Sequence, residues 1–163
     1  MKTLLLLRHA KSSWDNAMLS DHDRPLNERG LQDAPRMGRL LHSENLVPDL
    51  IITSTARRAA DTADAVALAA GYEGDITYTG RLYHAEPEMY LALAAKLDDT
   101  VDRVLMIGHN PGLEELVEDL SGHAERMPTA ALAAFQIDIS TWRDLSAEAP
   151  FTLTQVWVPK ALR

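Results

Sequence analysis

The 163-residue sequence contains no cysteine. That excludes a disulfide scaffold, a thiolate metal centre and thiol nucleophile chemistry together. Nor does any apolar run approach the roughly 18 residues that a membrane-spanning helix needs. The opening run, Leu4–Leu7, is shorter than a signal-peptide core and lacks a small-residue cleavage site. A cytoplasmic protein without membrane contact is the expectation. No His-Glu-x-x-His pattern occurs and the six histidines are scattered, so no metal site is expected. A Walker loop and a glycine-rich dinucleotide fingerprint are also missing, and no cofactor is expected. Without repeats, low-complexity stretches or a Pro/Gly-rich linker, residues 1–163 read as a single domain.

Apolar residues make up 46% and charged residues 25%, an ordinary globular composition. The net charge of −8 argues against broad contact with nucleic acid or an anionic membrane. The charge is uneven. Residues 1–60 carry nine Lys/Arg against seven Asp/Glu, whereas residues 61–163 carry seven against seventeen. An acidic chain that gathers arginines in its first third could be building an anion site there.

Leu4–Leu7, Asp49–Thr53 and Val104–Ile107 are short continuous apolar runs, which suit strands buried on both faces. Ile76–Thr79 is a further strand. Asn27 can cap a helix carrying Leu31, Ala34, Met37, Leu40 and Leu41, with Pro35 predicting a later start or a bend. Ala56–Ala70, closed by Gly71, Glu88–Leu97 and Leu113–Leu120 read as helices. Leu132–Ile139 and Phe151–Val158 then follow as two strands with no helix between them. The pattern predicts an α/β three-layer sandwich: a mainly parallel central sheet, helices on both faces and an antiparallel edge strand. In such sheets ligands bind beyond the carboxyl ends of the strands.

Those ends carry the chemistry. Arg8 and His9 follow the first strand; Ser54 and then Arg57 and Arg58 follow the second; Gly108-His109-Asn110-Pro111-Gly112 follows Val104–Ile107. Each segment alone means little, but two histidines and two arginines at three strand exits fit phosphoryl transfer. A transferring phosphoryl group spreads charge over three oxygens, which fixed guanidinium groups can meet. Neutral imidazole is a competent nucleophile near pH 7, provided its other nitrogen donates a hydrogen bond that fixes the tautomer. A backbone carbonyl in the loop after the first strand is the expected acceptor.

The segments LLLLRHAKSSW, DRPLNERG, STARRAADTA, LYHA and GHNPG occur in that order between residues 4 and 112. Together they resemble the histidine phosphatase (phosphoglycerate mutase-like) superfamily, and within it the small SixA-type phosphohistidine phosphatases. The resemblance implies that His9 is the phosphorylated nucleophile and that Arg8, Arg58 and His109 complete the phosphate pocket. Arg58 matches the family's arginine four residues after Ser54, which leaves Arg57 facing solvent. Arg24 is a supplementary anion ligand or an ion-pair partner of Asp21, Asp23 or Glu28. Ser54 is expected to cap or support the helix carrying Arg58; His22, His42 and His123 are expected in solvent. Ala10 replaces the glycine of the family signature. His84 and Glu86 stand near the place where many relatives carry an acidic proton donor.

The reading that follows is a metal-independent phosphatase acting through a phosphohistidine enzyme, with phosphohistidine in a phosphotransfer domain or carrier protein as substrate. The alternatives are a phosphomonoesterase for a small sugar or nucleotide phosphate and a non-catalytic module that binds phosphoproteins. The short chain leaves little room for a lid, which favours a site open to a protein surface over an enclosed mutase.

Overall fold

A computed structural model describes residues 1–163. Its strands are β1 (Lys2–Arg8), β2 (Leu50–Ser54), β3 (Ile76–Thr79), β4 (Arg103–Gly108), β5 (Leu132–Ile137) and β6 (Phe151–Trp157). The helices are α1 (Glu28–Ser43), α2 (Arg57–Ala70), α3 (Pro87–Ala95), α4 (Gly112–Ser121) and the short α5 (Pro159–Leu162). One sheet holds all six strands in the order β3-β2-β4-β1-β5-β6. β3, β2, β4 and β1 are mutually parallel; β5 runs against β1, and β6 against β5. The antiparallel edge is thus a strand pair in which β5 alone is reversed. No helix is long and apolar enough to cross a membrane.

The apolar runs are continuous because both faces of the sheet are covered. Leu5 and Leu7 of β1, with Leu105 and Ile107 of β4, pack under α1 and α2 beside Met37, Leu41, Ala63 and Val66. Leu4, Leu6, Val104 and Met106 point the other way, to Tyr90 of α3, Leu113, Leu116 and Val117 of α4, and Trp142. All four leucines of β1 are completely buried, each contributing roughly 2 kcal/mol. This burial fixes the strand's register, and the register fixes where Arg8 and His9 emerge.

α1 starts at Glu28, with the Asn27 side chain accepting the Gly30 N–H at 2.9 Å. Pro35 lies inside the helix rather than at its start. The carbonyl that Pro35 cannot bond belongs to Leu31, which is 62% exposed, so the orphaned group lies on the wet side. Leu31 accordingly falls outside the buried stripe that the sequence pattern gave it. Gly71 closes α2 in the left-handed conformation, φ 74°.

Candidate active site

Arg8, His9, Arg58 and His109 converge on one cleft of about 450 Å³ at the carboxyl ends of β1, β2 and β4. Local bonding holds the loop after β1. The His9 N–H donates to the Gly108 carbonyl at 3.1 Å. The Ala130 N–H, with φ 62°, reaches both the Arg8 and His9 carbonyls at 3.1 and 3.0 Å. The Ala10 N–H donates to the Thr62 hydroxyl at 3.0 Å, and that hydroxyl donates to the Arg58 carbonyl at 2.6 Å. Thr62 thereby locks the loop after β1 to the first turns of α2, which carry Arg58.

The His9 side chain lies 2.8 Å from the Ala10 carbonyl through Nδ1. A carbonyl can only accept, so Nδ1 carries the proton and Nε2 keeps its lone pair. Burial, with Arg58 and Arg8 nearby, pushes the His9 pKa down to about 3, leaving a neutral imidazole at physiological pH. His109 stands beside it, ring centroids 5.0 Å apart, and burial likewise pushes its pKa down to about 3. Its Nδ1 accepts a long bond of 3.5 Å from Arg58, which places the proton on Nε2, 2.8 Å from the Ser54 hydroxyl. Ser54 also accepts the Ala56 N–H at 3.2 Å, but the cap position of α2 is Ala56. Its larger part is to hold His109, which the sequence did not reveal.

Arg8 donates through Nη1 to the Met127 carbonyl at 3.1 Å, and its Nε has no protein partner. Arg58 Nε is buried and unpartnered too. Both guanidinium groups line the cleft beside a neutral imidazole, an arrangement suited to an oxyanion. Asn110 donates through Nδ2 to Glu114 at 2.8 Å and to the Met127 carbonyl at 2.9 Å, which fixes its amide and leaves Oδ1 without a partner.

The other expected residues separate. Arg24 is buried in the cleft wall, bonded to Ser12 at 2.7 Å and to Asp21 at 3.2 Å, with its guanidinium 3.5 Å from the Trp14 ring centroid. It is therefore both an ion-pair partner of Asp21 and a cleft residue. His84, exposed and at φ 56°, borders the cleft and stacks on Tyr83 at 3.9 Å. Glu86 lines only a neighbouring cavity of about 250 Å³, which shares His84, His109 and Asn110 with the main cleft. Arg57 faces solvent in an ion pair with Asp61, and His42 and His123 are exposed. His22 is half-buried against the Thr55 hydroxyl at 3.0 Å.

The model of the histidine phosphatase superfamily (branch 1) matches residues 4–83. An uncharacterized chloroplastic protein of Arabidopsis thaliana is 30% identical over 155 residues, 90% of this chain and 71% of that one. The crystal structure of the protein assigned as phosphohistidine phosphatase SixA of Agrobacterium tumefaciens superposes with a TM-score of 0.83 at 32% identity, covering 97% of this chain and 98% of that one. The chain belongs to the histidine phosphatase superfamily. It is of the SixA type, and a second SixA-type structure, from Nakamurella multipartitia, agrees with a TM-score of 0.82 at 27% identity over 97% and 96% of the two chains. The sheet, its helices and the antiparallel edge pair are those of the phosphoglycerate mutase-like fold.

Asp21 and Tyr83 also belong to the cleft assembly. Asp21 bonds Arg58, Arg24 and Tyr83 at once. Its signal in the sequence is thin: an acidic residue three positions before Arg24, in a polar loop where acids are common.

Proposed function

We propose that the protein is a metal-independent phosphatase that forms a phosphohistidine at Nε2 of His9 and acts on phosphohistidine carried by another protein. The observation that carries this reading is the tautomer of His9: a neutral ring with Nδ1–H on the Ala10 carbonyl and a free Nε2, in a cleft also lined by Arg8 and Arg58. The positive charge beside that ring comes from the guanidinium groups of Arg8 and Arg58, which line the same cleft.

In the first step Nε2 of His9 attacks phosphorus, the bond from phosphorus to the leaving nitrogen breaks, and that nitrogen takes a proton from solvent or from His84. Arg8 and Arg58 meet the equatorial oxygens, with His109 beside them. Water then attacks the phosphoenzyme; its oxygen bonds to phosphorus, the bond to His9 breaks, and inorganic phosphate and neutral His9 are released. An imidazole leaves readily once protonated, so the step does not depend on a strong acid. The exposure of Glu86 outside the main cleft is consistent with that. The likeness to SixA-type structures and the opening of the cleft to solvent support a protein-borne substrate. Hydrolysis of a small sugar or nucleotide phosphate is the second reading, favoured by the exposed His84 imidazole, which could protonate an alkoxide.

The test is phosphate release from a histidine-phosphorylated carrier protein and from a panel of small phosphate esters, with His9→Ala alongside. Rapid release from the carrier, lost by at least 1,000-fold in the variant, is expected, about 4 kcal/mol in the barrier. Turnover of esters alone would establish the second reading. Binding of the phosphocarrier with no turnover, and only an affinity change in His9→Ala, would make the protein a phosphoprotein-binding module.

A further inference from the structure

One carboxylate stands among the cations of the cleft. Asp21 Oδ2 accepts from Arg58 Nη2 at 3.1 Å and from the Tyr83 hydroxyl at 2.6 Å, while Oδ1 accepts from Arg24 Nε and Nη2, each at 3.2 Å. The Asp21 backbone carbonyl separately accepts from Arg58 Nη1 at 2.7 Å. Arg58 thus has both outer nitrogens engaged by Asp21, with Nη2 also reaching His109 Nδ1 at 3.5 Å.

We propose that Asp21 is the charge-limiting residue of the phosphate pocket: its carboxylate weakens the hold on free inorganic phosphate so that the product leaves. The inference rests on the reading of Arg58 as a ligand of the phosphoryl group. Three features separate this role from that of a scaffold. The side chain is 41% exposed and lines the cleft, so its charge faces whatever anion enters. Orientation of Arg58 is already secured by the Asp21 main chain, which any residue at this position would supply. And the Tyr83 hydrogen bond, with Arg58 beside it, holds the carboxyl well below the usual carboxylate range, so the charge persists over the whole working range of pH.

The chemistry gives such a charge a purpose. A pocket lined by the guanidinium groups of Arg8, Arg24 and Arg58 would retain dianionic phosphate strongly. A transferring phosphoryl group in a loose transition state carries less net charge than the dianion. A nearby fixed negative charge therefore raises the energy of bound product more than that of the reacting group, which is differential binding in the useful direction.

The experiment is calorimetric titration of inorganic phosphate at pH 7.5 into wild type, Asp21→Asn, Asp21→Ala, Tyr83→Phe and Arg58→Ala, each first shown to be folded. Asp21→Asn keeps the shape and Asp21→Ala keeps only the main-chain contact; both are expected to bind phosphate about tenfold more tightly than wild type, equivalent to about 1.4 kcal/mol. Tyr83→Phe removes a bond but no charge and is expected to stay within twofold. Unchanged or weaker binding by both Asp21 variants would overturn the proposal and leave Asp21 a scaffold for Arg58. Undiminished binding by Arg58→Ala would instead overturn the phosphate-pocket reading itself, a separate failure.

Discussion

Acidification should unfold this protein earlier than its carboxylates alone dictate, because two histidines are buried in the neutral form. His9 and His109 are only 6% and 5% exposed, and burial holds each pKa down to about 3. In the unfolded chain each returns to about 6.5. The unfolded state therefore binds more protons throughout the interval between those values. Stability is fully present above about pH 6.5 and is lost as the pH falls toward 3. Going from pH 7 to pH 5, the His9 ring alone should cost about 2 kcal/mol. Urea titrations of wild type and His9→Asn at the two pH values measure it. The amide cannot protonate, so the fall in stability between pH 7 and pH 5 should be about 2 kcal/mol smaller in the variant. Equal falls in the two proteins would refute the buried neutral imidazole, as would a His9 ring resonance titrating near 6.5 in the folded protein. The same depression keeps the His9 ring unprotonated in mildly acidic solution, so an acid limb in kcat/KM near pH 6 would belong to another group.

Ser54→Ala removes the buried partner of His109 Nε2 and should lower kcat/KM for phosphate release about tenfold or more, with about 1–3 kcal/mol lost in a urea titration because the donors from which Ser54 accepts are left unpaired. Arg58→Lys, which keeps the charge but loses the planar fork and its Nε, should lower kcat/KM about 100-fold, with the fold confirmed by circular dichroism. At Gly108 a methyl group would run into the buried Tyr90 hydroxyl. Gly108→Ala should therefore cost roughly 2 kcal/mol in a denaturant titration, and adding Tyr90→Phe should recover part of the loss.

The elements that were legible in the sequence are those whose burial leaves a one-dimensional trace. β1, β2 and β4 are covered on both faces, so they read as unbroken apolar runs, and the residues that end them fall at the cleft without further argument. That places Arg8, His9, Ser54 and His109 from local pattern alone. Arg58 was told from Arg57 only by the family resemblance, which puts the arginine four residues after Ser54. Asp21 was legible only as one of three acids that could pair with Arg24, and its bond to Tyr83 was not, since it joins residues 62 apart from a polar loop with no periodicity. Ser54 was read as a capping residue because its bond to His109 spans 55 residues, whereas its bond to Ala56 is local. Leu31 misled for the opposite reason: its spacing fits the apolar stripe, but it supplies the carbonyl that Pro35 leaves free, and that carbonyl needs water.

The bond from His9 Nδ1 to the Ala10 carbonyl has a regiochemical consequence. Imidazole offers two sites for phosphorylation, giving isomers that differ in chemical stability and in phosphorus chemical shift. With Nδ1 tied to the main chain, the proposed phosphoenzyme would form as one isomer only. The ring cannot turn over to present the other nitrogen without breaking a buried hydrogen bond. The isomer that the proposed mechanism makes on His9 would thus be set by the backbone of the loop after β1, whichever isomer the substrate carries.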